Sequence, residues 1–244
     1  MTIRELKRLN ISPRASALAG IIGPVVFVTV YTVFGLATPG YSPLTQVISN
    51  LELAPYGWIQ QLNFLLCGTL IVVFAVGFRG AMLLVIQRRL RLATALLVLS
   101  GAGMVEASYF TPADPAEHAA GFLFFIIPLT AAFFLIGRQF HRTESWRTLG
   151  AYSVATGFVT SALLLYFFSL GASESFGLIG VVNRIFVMES LAWFVVMGTR
   201  LLGISRMQAR RDVVFAASAL LSQTDSFSSA ARSARPSSGR RRSG

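Results

Sequence analysis

With 244 residues, 54% of them hydrophobic, and a mean hydropathy of +0.65, the chain is too apolar to cover its own surface in water. Only 13% of its residues are charged, against about 25% in ordinary soluble domains. The net charge of +11 does not point to nucleic acid, because the basic residues stand between apolar runs and not on one groove-facing patch.

The chain opens on Arg4, Lys7, Arg8 and Arg14, followed by an uncharged run from Ala15 to Leu36. That run is longer than the apolar core of a signal peptide and no small-x-small cleavage pattern follows it, so it is read as an uncleaved first span. A spanning helix needs about 20 apolar residues. Six stretches meet this, at 15–36, 60–79, 90–109, 118–136, 148–170 and 178–200. The expected fold is therefore all-α: a polytopic bundle of six transmembrane helices in one domain, 15–202. A basic N-terminus, 1–14, precedes it and a Ser/Arg-rich tail, 203–244, follows.

Orientation follows from arginine and lysine in short loops. Twenty of the 21 basic residues fall in the N-terminus, in 79–91, in 137–147 and from Arg200 onward. The opposite loops carry none, and hold Glu52, Asp114, Glu117 and Glu174. Both termini are accordingly expected in the cytoplasm, with the protein in the cell membrane.

In the first outer loop, Ser42-Pro43 reads as an N-cap with proline at the first helical position. Leu44, Val47, Ile48 and Leu51 then recur at helical spacing, predicting a short amphipathic helix. It either lies in the headgroup layer, flanked by Tyr41, Tyr56 and Trp58, or caps the bundle. Between the third and fourth spans, Asp114-Pro115-Ala116-Glu117 is a helix start, which puts His118 in the first turn of the fourth helix. Pro24 and Pro128 lie mid-span, where each frees a backbone carbonyl. Ser153, Gly157 and Ser161 form a small-residue row on the fifth helix, suited to close approach of another helix. Cys67 is read as a buried small apolar residue. Residues 222–244, rich in Ser and Arg, predict disorder, with Arg240-Arg241-Arg242 near anionic lipid or in solvent. Asp212 to Leu221 is read as a short helix.

Ionisable groups inside a span cost about 2.5–3.5 kcal/mol each at a helix centre. At about 1.5 Å rise per residue, Glu106 lies about 5 Å from the outer end, Arg184 about 9 Å and Glu189 about 16 Å. Two arrangements are open. In one, Arg184 and Glu106 form a buried ion pair that sets helix registry. In the other, Arg184, Glu106, His118 and Asp114 line an outward-facing polar cavity, with Asn183 nearby and Glu189 at its floor. His118 is open to reading as a metal ligand, a proton carrier or a loop residue. A catalytic zinc needs three protein ligands, and His141 belongs to the opposite side, so no metal is expected. Ser49 with His118 as base is a possible nucleophile pair, and no nucleophile-elbow motif surrounds Ser49. No dinucleotide fingerprint, phosphate loop or CxxC occurs, so no cofactor is expected.

Four stretches together resemble the bacterial and archaeal membrane family known as domain of unknown function 998. They are Gly23-Pro24; the run GYSPLTQVISNLEL from Gly40 to Leu53; FTPADPAEH from Phe110 to His118; and the last span with Gly177, Arg184, Trp193 and Arg200. The loop that carries Asp114 and His118 is shorter here than in that pattern. The resemblance implies six helices and directs attention to Ser49, Asp114, His118 and Arg184, without implying a reaction. Three functions are carried forward. One is binding or transport of a small amphiphile or membrane lipid. Another is an intramembrane hydrolase using Asp114, His118 and Ser49. The last is an accessory subunit bound to other helices through Ser153, Gly157 and Ser161.

Overall fold

The computed structural model describes residues 11–85, 90–172 and 176–233, with side chains described over 11–83, 90–170 and 177–207. Six helices follow in chain order: α1 Pro13–Ala37, α2 Trp58–Val85, α3 Arg91–Tyr109, α4 Pro115–Phe140, α5 Arg147–Ala172 and α6 Ile179–Ser233. Each contains a stretch long and apolar enough to cross a membrane, and no strand occurs among the described residues. The chain is an all-α, multi-pass membrane protein, since in lipid a helix satisfies its backbone polar groups internally.

Local chemistry sets the helix starts. Ser12 caps α1, its hydroxyl accepting from the Ala15 N–H at 3.1 Å, with Pro13 at the first helical position. α4 begins at Pro115 after Asp114, as the motif predicts, but the Asp114 side chain makes no capping bond. Only its backbone carbonyl is engaged, by the His118 N–H at 3.0 Å. Pro24 and Pro128 are both buried inside helices that continue past them.

Consecutive helices pack in pairs from α1 through α5, and small residues mark the crossings. A Cβ on Gly101 would lie 2.7 Å from the Gly68 carbonyl oxygen, one on Gly121 3.1 Å from that of Gly103, and one on Gly150 3.0 Å from that of Gly137. Such contacts let backbones approach closely where lipid offers no hydrophobic drive to associate. The membrane half of α6 closes the bundle. A Cβ on Gly198 would sit 2.8 Å from the Ala17 carbonyl oxygen. Trp193 meets Phe74, Phe78 and Phe133. Its indole N–H, which needs a partner when buried, donates to Ser153 Oγ at 2.9 Å. The small-residue row on α5 is thus occupied within the chain at two of its positions: Trp193 bonds Ser153, and the Phe134 ring lies against Gly157.

The α1–α2 loop differs from its expected form. A single turn at Ser42, closed by the Gln46 N–H on the Ser42 carbonyl at 2.9 Å, leads into a 3-10 helix, Ile48–Leu53, with Val47 at its N-cap. A short helix is present, but it starts later than Ser42 and is wound tighter. In a 3-10 helix residues i and i+3 align, so Ile48 and Leu51 point inward together and are 2% and 0% exposed. The helix packs on α1 and α2, capping the bundle. Leu44, Leu53, Tyr56 and Trp58 stay exposed, as apolar and aromatic groups do at a membrane interface.

The chain divides into two units, Met1–Leu202 and Gly203–Gly244. In the second, helix is continuous to Ser233. The segment Asp212 to Leu221 is therefore part of α6 and not a separate helix, and 222–233 is helical where composition predicts disorder. Extending an existing helix avoids the nucleation cost a new one bears. Arg240-Arg241-Arg242 and Glu174 lie outside the described residues.

Candidate functional site

The loop from Gly40 to Leu53 is tied to the first turns of α6. The N–H groups of Gly180 and Val181 both donate to the Leu44 carbonyl, at 3.0 and 3.3 Å. Asn183 Oδ1 accepts from the Ile48 N–H at 3.0 Å. The Arg184 guanidinium donates to the carbonyls of Pro43 at 2.7 Å, Gln46 at 2.9 Å and Gly180 at 2.8 Å, and to the Tyr41 hydroxyl. The absence of a side chain at position 180 permits this, because a Cβ there would lie 2.6 Å from the Gln46 carbonyl oxygen. A guanidinium has five donors in a rigid fork, and here they hold backbone. Arg184 therefore acts as a loop anchor. It does not pair with Glu106, and no acid lies within ion-pair distance of it among the described residues.

Tyr56 adopts φ 65° in the turn closed by the Gly57 N–H on Ala54. A side chain at Gly57 would collide with the Glu52 carbonyl group, so the turn folds Glu52 back against the start of α2. The Glu52 side chain is fully buried, with its Oε2 3.8 Å from His118 Nδ1. Neither carboxyl oxygen has a hydrogen-bond partner among the described residues, and burial raises the carboxyl to about 8. His118 Nδ1 lies 2.6 Å from the Phe110 carbonyl oxygen. A carbonyl only accepts, so Nδ1 carries the proton, and in the neutral ring Nε2 holds the lone pair.

Beside this pair lies a cavity of about 60 Å³, enough for a few water-sized groups. Its walls are apolar, from Phe27, Phe64, Met104, Phe122, Phe125 and Val187, with Ser49, His118 and Asn183 as its polar lining. Below it the bundle is filled by the aromatic cluster around Trp193.

Of the residues singled out in the sequence, the structure brings Ser49 and His118 to this one cavity, with Asn183 beside them. Asp114 is exposed and meets His118 only through its backbone. Glu106 is half-buried at the end of α3 and does not line the cavity. Glu189 is not its floor either; the carboxylate accepts from Thr160 Oγ1 at 2.7 Å across the α5–α6 contact. That hydroxyl is the partner the sequence did not reveal. No group of three His, Cys, Asp or Glu side chains that could hold a metal occurs among the described residues.

Glu52 is the residue that sequence reasoning missed. It lies off the apolar stripe of Leu44, Val47, Ile48 and Leu51, but in the 3-10 helix it is buried, one turn after Ser49 in the same row. The available signal was its position between Leu51 and Leu53.

These features define a multi-pass membrane protein whose first loop is locked onto its last span over a small, mostly apolar cavity. Residues 21–200 match the family described as "Protein of unknown function (DUF998)", and the chain belongs to that family. No curated protein matches it, and no solved structure matches it. Three of the four stretches that carry the family resemblance meet in space. Arg184 holds the Gly40–Leu53 loop, and His118 faces Glu52 of that same loop.

Proposed function

We propose that this protein binds a small amphiphile, such as a membrane lipid, in the cavity beneath the α1–α2 loop, and that this cavity faces the outer side of the cell membrane. The orientation rests on the arginine asymmetry of the loops. The binding reading rests on the cavity itself: apolar walls with a few convergent polar groups, the usual make-up of a small-molecule site. Ser49, His118 and Asn183 supply those groups and take the polar part of the ligand, while the phenylalanine walls take its apolar part. Binding is favoured over passage because the aromatic cluster around Trp193 fills the bundle below. The accessory-subunit reading is less favoured because its small-residue row is partly occupied within the chain.

Native mass spectrometry of the purified protein tests the reading. Wild type is expected to retain a lipid or other amphiphile at one copy per chain. Ala107→Leu, which places extra carbons into the cavity lining, should lose it, and His118→Ala should weaken it. Retention of the same adduct in a folded Ala107→Leu protein would show that the ligand sits elsewhere.

A further inference from the structure

Ser49 and Glu52 stand one turn apart on a 3-10 helix, with His118 close to this row. His118 approaches Glu52 through Nδ1 and shares the cavity with Ser49. At about 2 Å rise per residue the two positions are about 6 Å apart along the helix axis, a span that an imidazole bridges with one nitrogen toward each. We infer that Ser49, His118 and Glu52 form a hydrolytic site for the ester bond of an acyl amphiphile, with Ser49 as nucleophile, His118 as base and Glu52 as a positioning acid. The inference rests on the amphiphile-binding reading and deepens it by assigning a reaction to the same cavity.

Three observations carry it. The Phe110 carbonyl accepts a hydrogen bond from the Nδ1–H, which leaves Nε2 as the basic nitrogen, the tautomer that general-base catalysis by histidine requires. The Glu52 carboxyl group is buried with both oxygens unpartnered among the described residues. A buried carboxyl without such partners calls for an explanation, and its Oε2, 3.8 Å from His118 Nδ1, places it to orient the ring. Asn183 commits its Oδ1 to the Ile48 N–H, so its NH₂ is the group left to donate toward a carbonyl oxygen in the cavity.

The step balances with water as the only co-reactant. Ser49 Oγ attacks the ester carbonyl carbon and its proton passes to His118 Nε2. Negative charge on the carbonyl oxygen meets the Asn183 NH₂. The carbon–alkoxide bond breaks, and the departing alcohol takes the proton from His118, leaving an acyl–Ser49 ester. Water then attacks that ester, giving its proton to Nε2. Ser49 Oγ leaves and recovers the proton, and the carboxylic acid is released. The cavity accepts the ester and the first carbons of the acyl chain, which points to short acyl groups or to the ester-linked end of a longer one.

The full chain in lipid nanodiscs is treated with a fluorophosphonate probe and, separately, with p-nitrophenyl esters of two to twelve carbons. Peptide mapping should place the phosphonate on Ser49. Ester cleavage in Ser49→Ala should fall to the level of empty nanodiscs, and His118→Ala should be slower by about 100-fold or more, with added imidazole restoring part of the rate. Thermal unfolding identifies any variant lost to misfolding, and imidazole rescue of His118→Ala is a response that a structural role would not give. If Ser49 stays unlabelled, or if folded Ser49→Ala cleaves esters as fast as wild type, the catalytic inference is overturned. In that case a retained adduct lost in Ala107→Leu leaves the binding reading standing, and loss of both results overturns the two together.

Discussion

Arg184→Ala should destabilise the protein through the α1–α2 loop. The guanidinium holds the carbonyls of Pro43 and Gln46 and the Tyr41 hydroxyl, and removing it strips those loop acceptors of their donor. Hydrogen bonds to a charged group are worth about 1.5–3 kcal/mol each, and the half-buried setting favours the lower figure. Allowing for water that enters the vacated space, the loss comes to about 3 kcal/mol, or about 6–12 °C in Tm for a chain of this size. Tryptophan fluorescence during thermal unfolding reports it, since Trp58 and Trp146 stand at opposite ends of the bundle and Trp193 at its centre. Arg184→Lys should recover only part of the stability, because a compact ammonium cannot reach acceptors spread around a planar fork. Bound amphiphile should weaken in parallel with stability, since the loop carries Ser49. The reasoning is refuted if Arg184→Ala unfolds within about 1 °C of wild type yet loses its ligand, for Arg184 would then contact the ligand and not anchor the loop.

Two further outcomes follow from the same end of the bundle. Glu52 has a carboxyl raised from 4.5 to about 8, so the folded state keeps its proton where the unfolded state has released it. Stability should therefore fall as pH rises from about 4.5 to about 8 and level off above, by at most about 5 kcal/mol. A protonated His118, the titratable side chain within ion-pair distance, would offset part of this by favouring the carboxylate. Glu52→Gln should remove the pH drift, measured as Tm against pH; an equal drift in both proteins would assign it to other groups. Asp114→Ala, at an exposed N-cap without a capping bond, should change stability by less than about 0.5 kcal/mol. A loss of about 1 kcal/mol, typical of a working cap, would show that the side chain does bond to the helix.

Much of the architecture was legible in the sequence. Membrane residence is a property of windows of about 20 residues, so six apolar runs define six helices without knowledge of their neighbours. Helix starts are equally local: Asp114-Pro115 marks the start of α4, although the Asp114 side chain makes no capping bond. The runs Gly40–Leu53 and Phe110–His118, which carry part of the family likeness, could also be located, and with them Ser49 and His118.

The partners of the ionisable groups were decided only by the tertiary structure. Sequence spacing gave Arg184 a depth that suited Glu106, but a side chain's partners depend on how its helix is rotated and what crosses it. Arg184 instead meets Pro43, 141 positions away, and Asn183 meets Ile48, 135 positions away. Glu189 finds Thr160 because α5 crosses α6 at that level. Burial of Glu52 turned on a smaller choice. Ile48–Leu53 winds as a 3-10 helix packed on α1 and α2, where the apolar spacing allowed an α-helix. In that winding Ile48 and Leu51 face inward as their spacing predicts, and Glu52 is buried near His118.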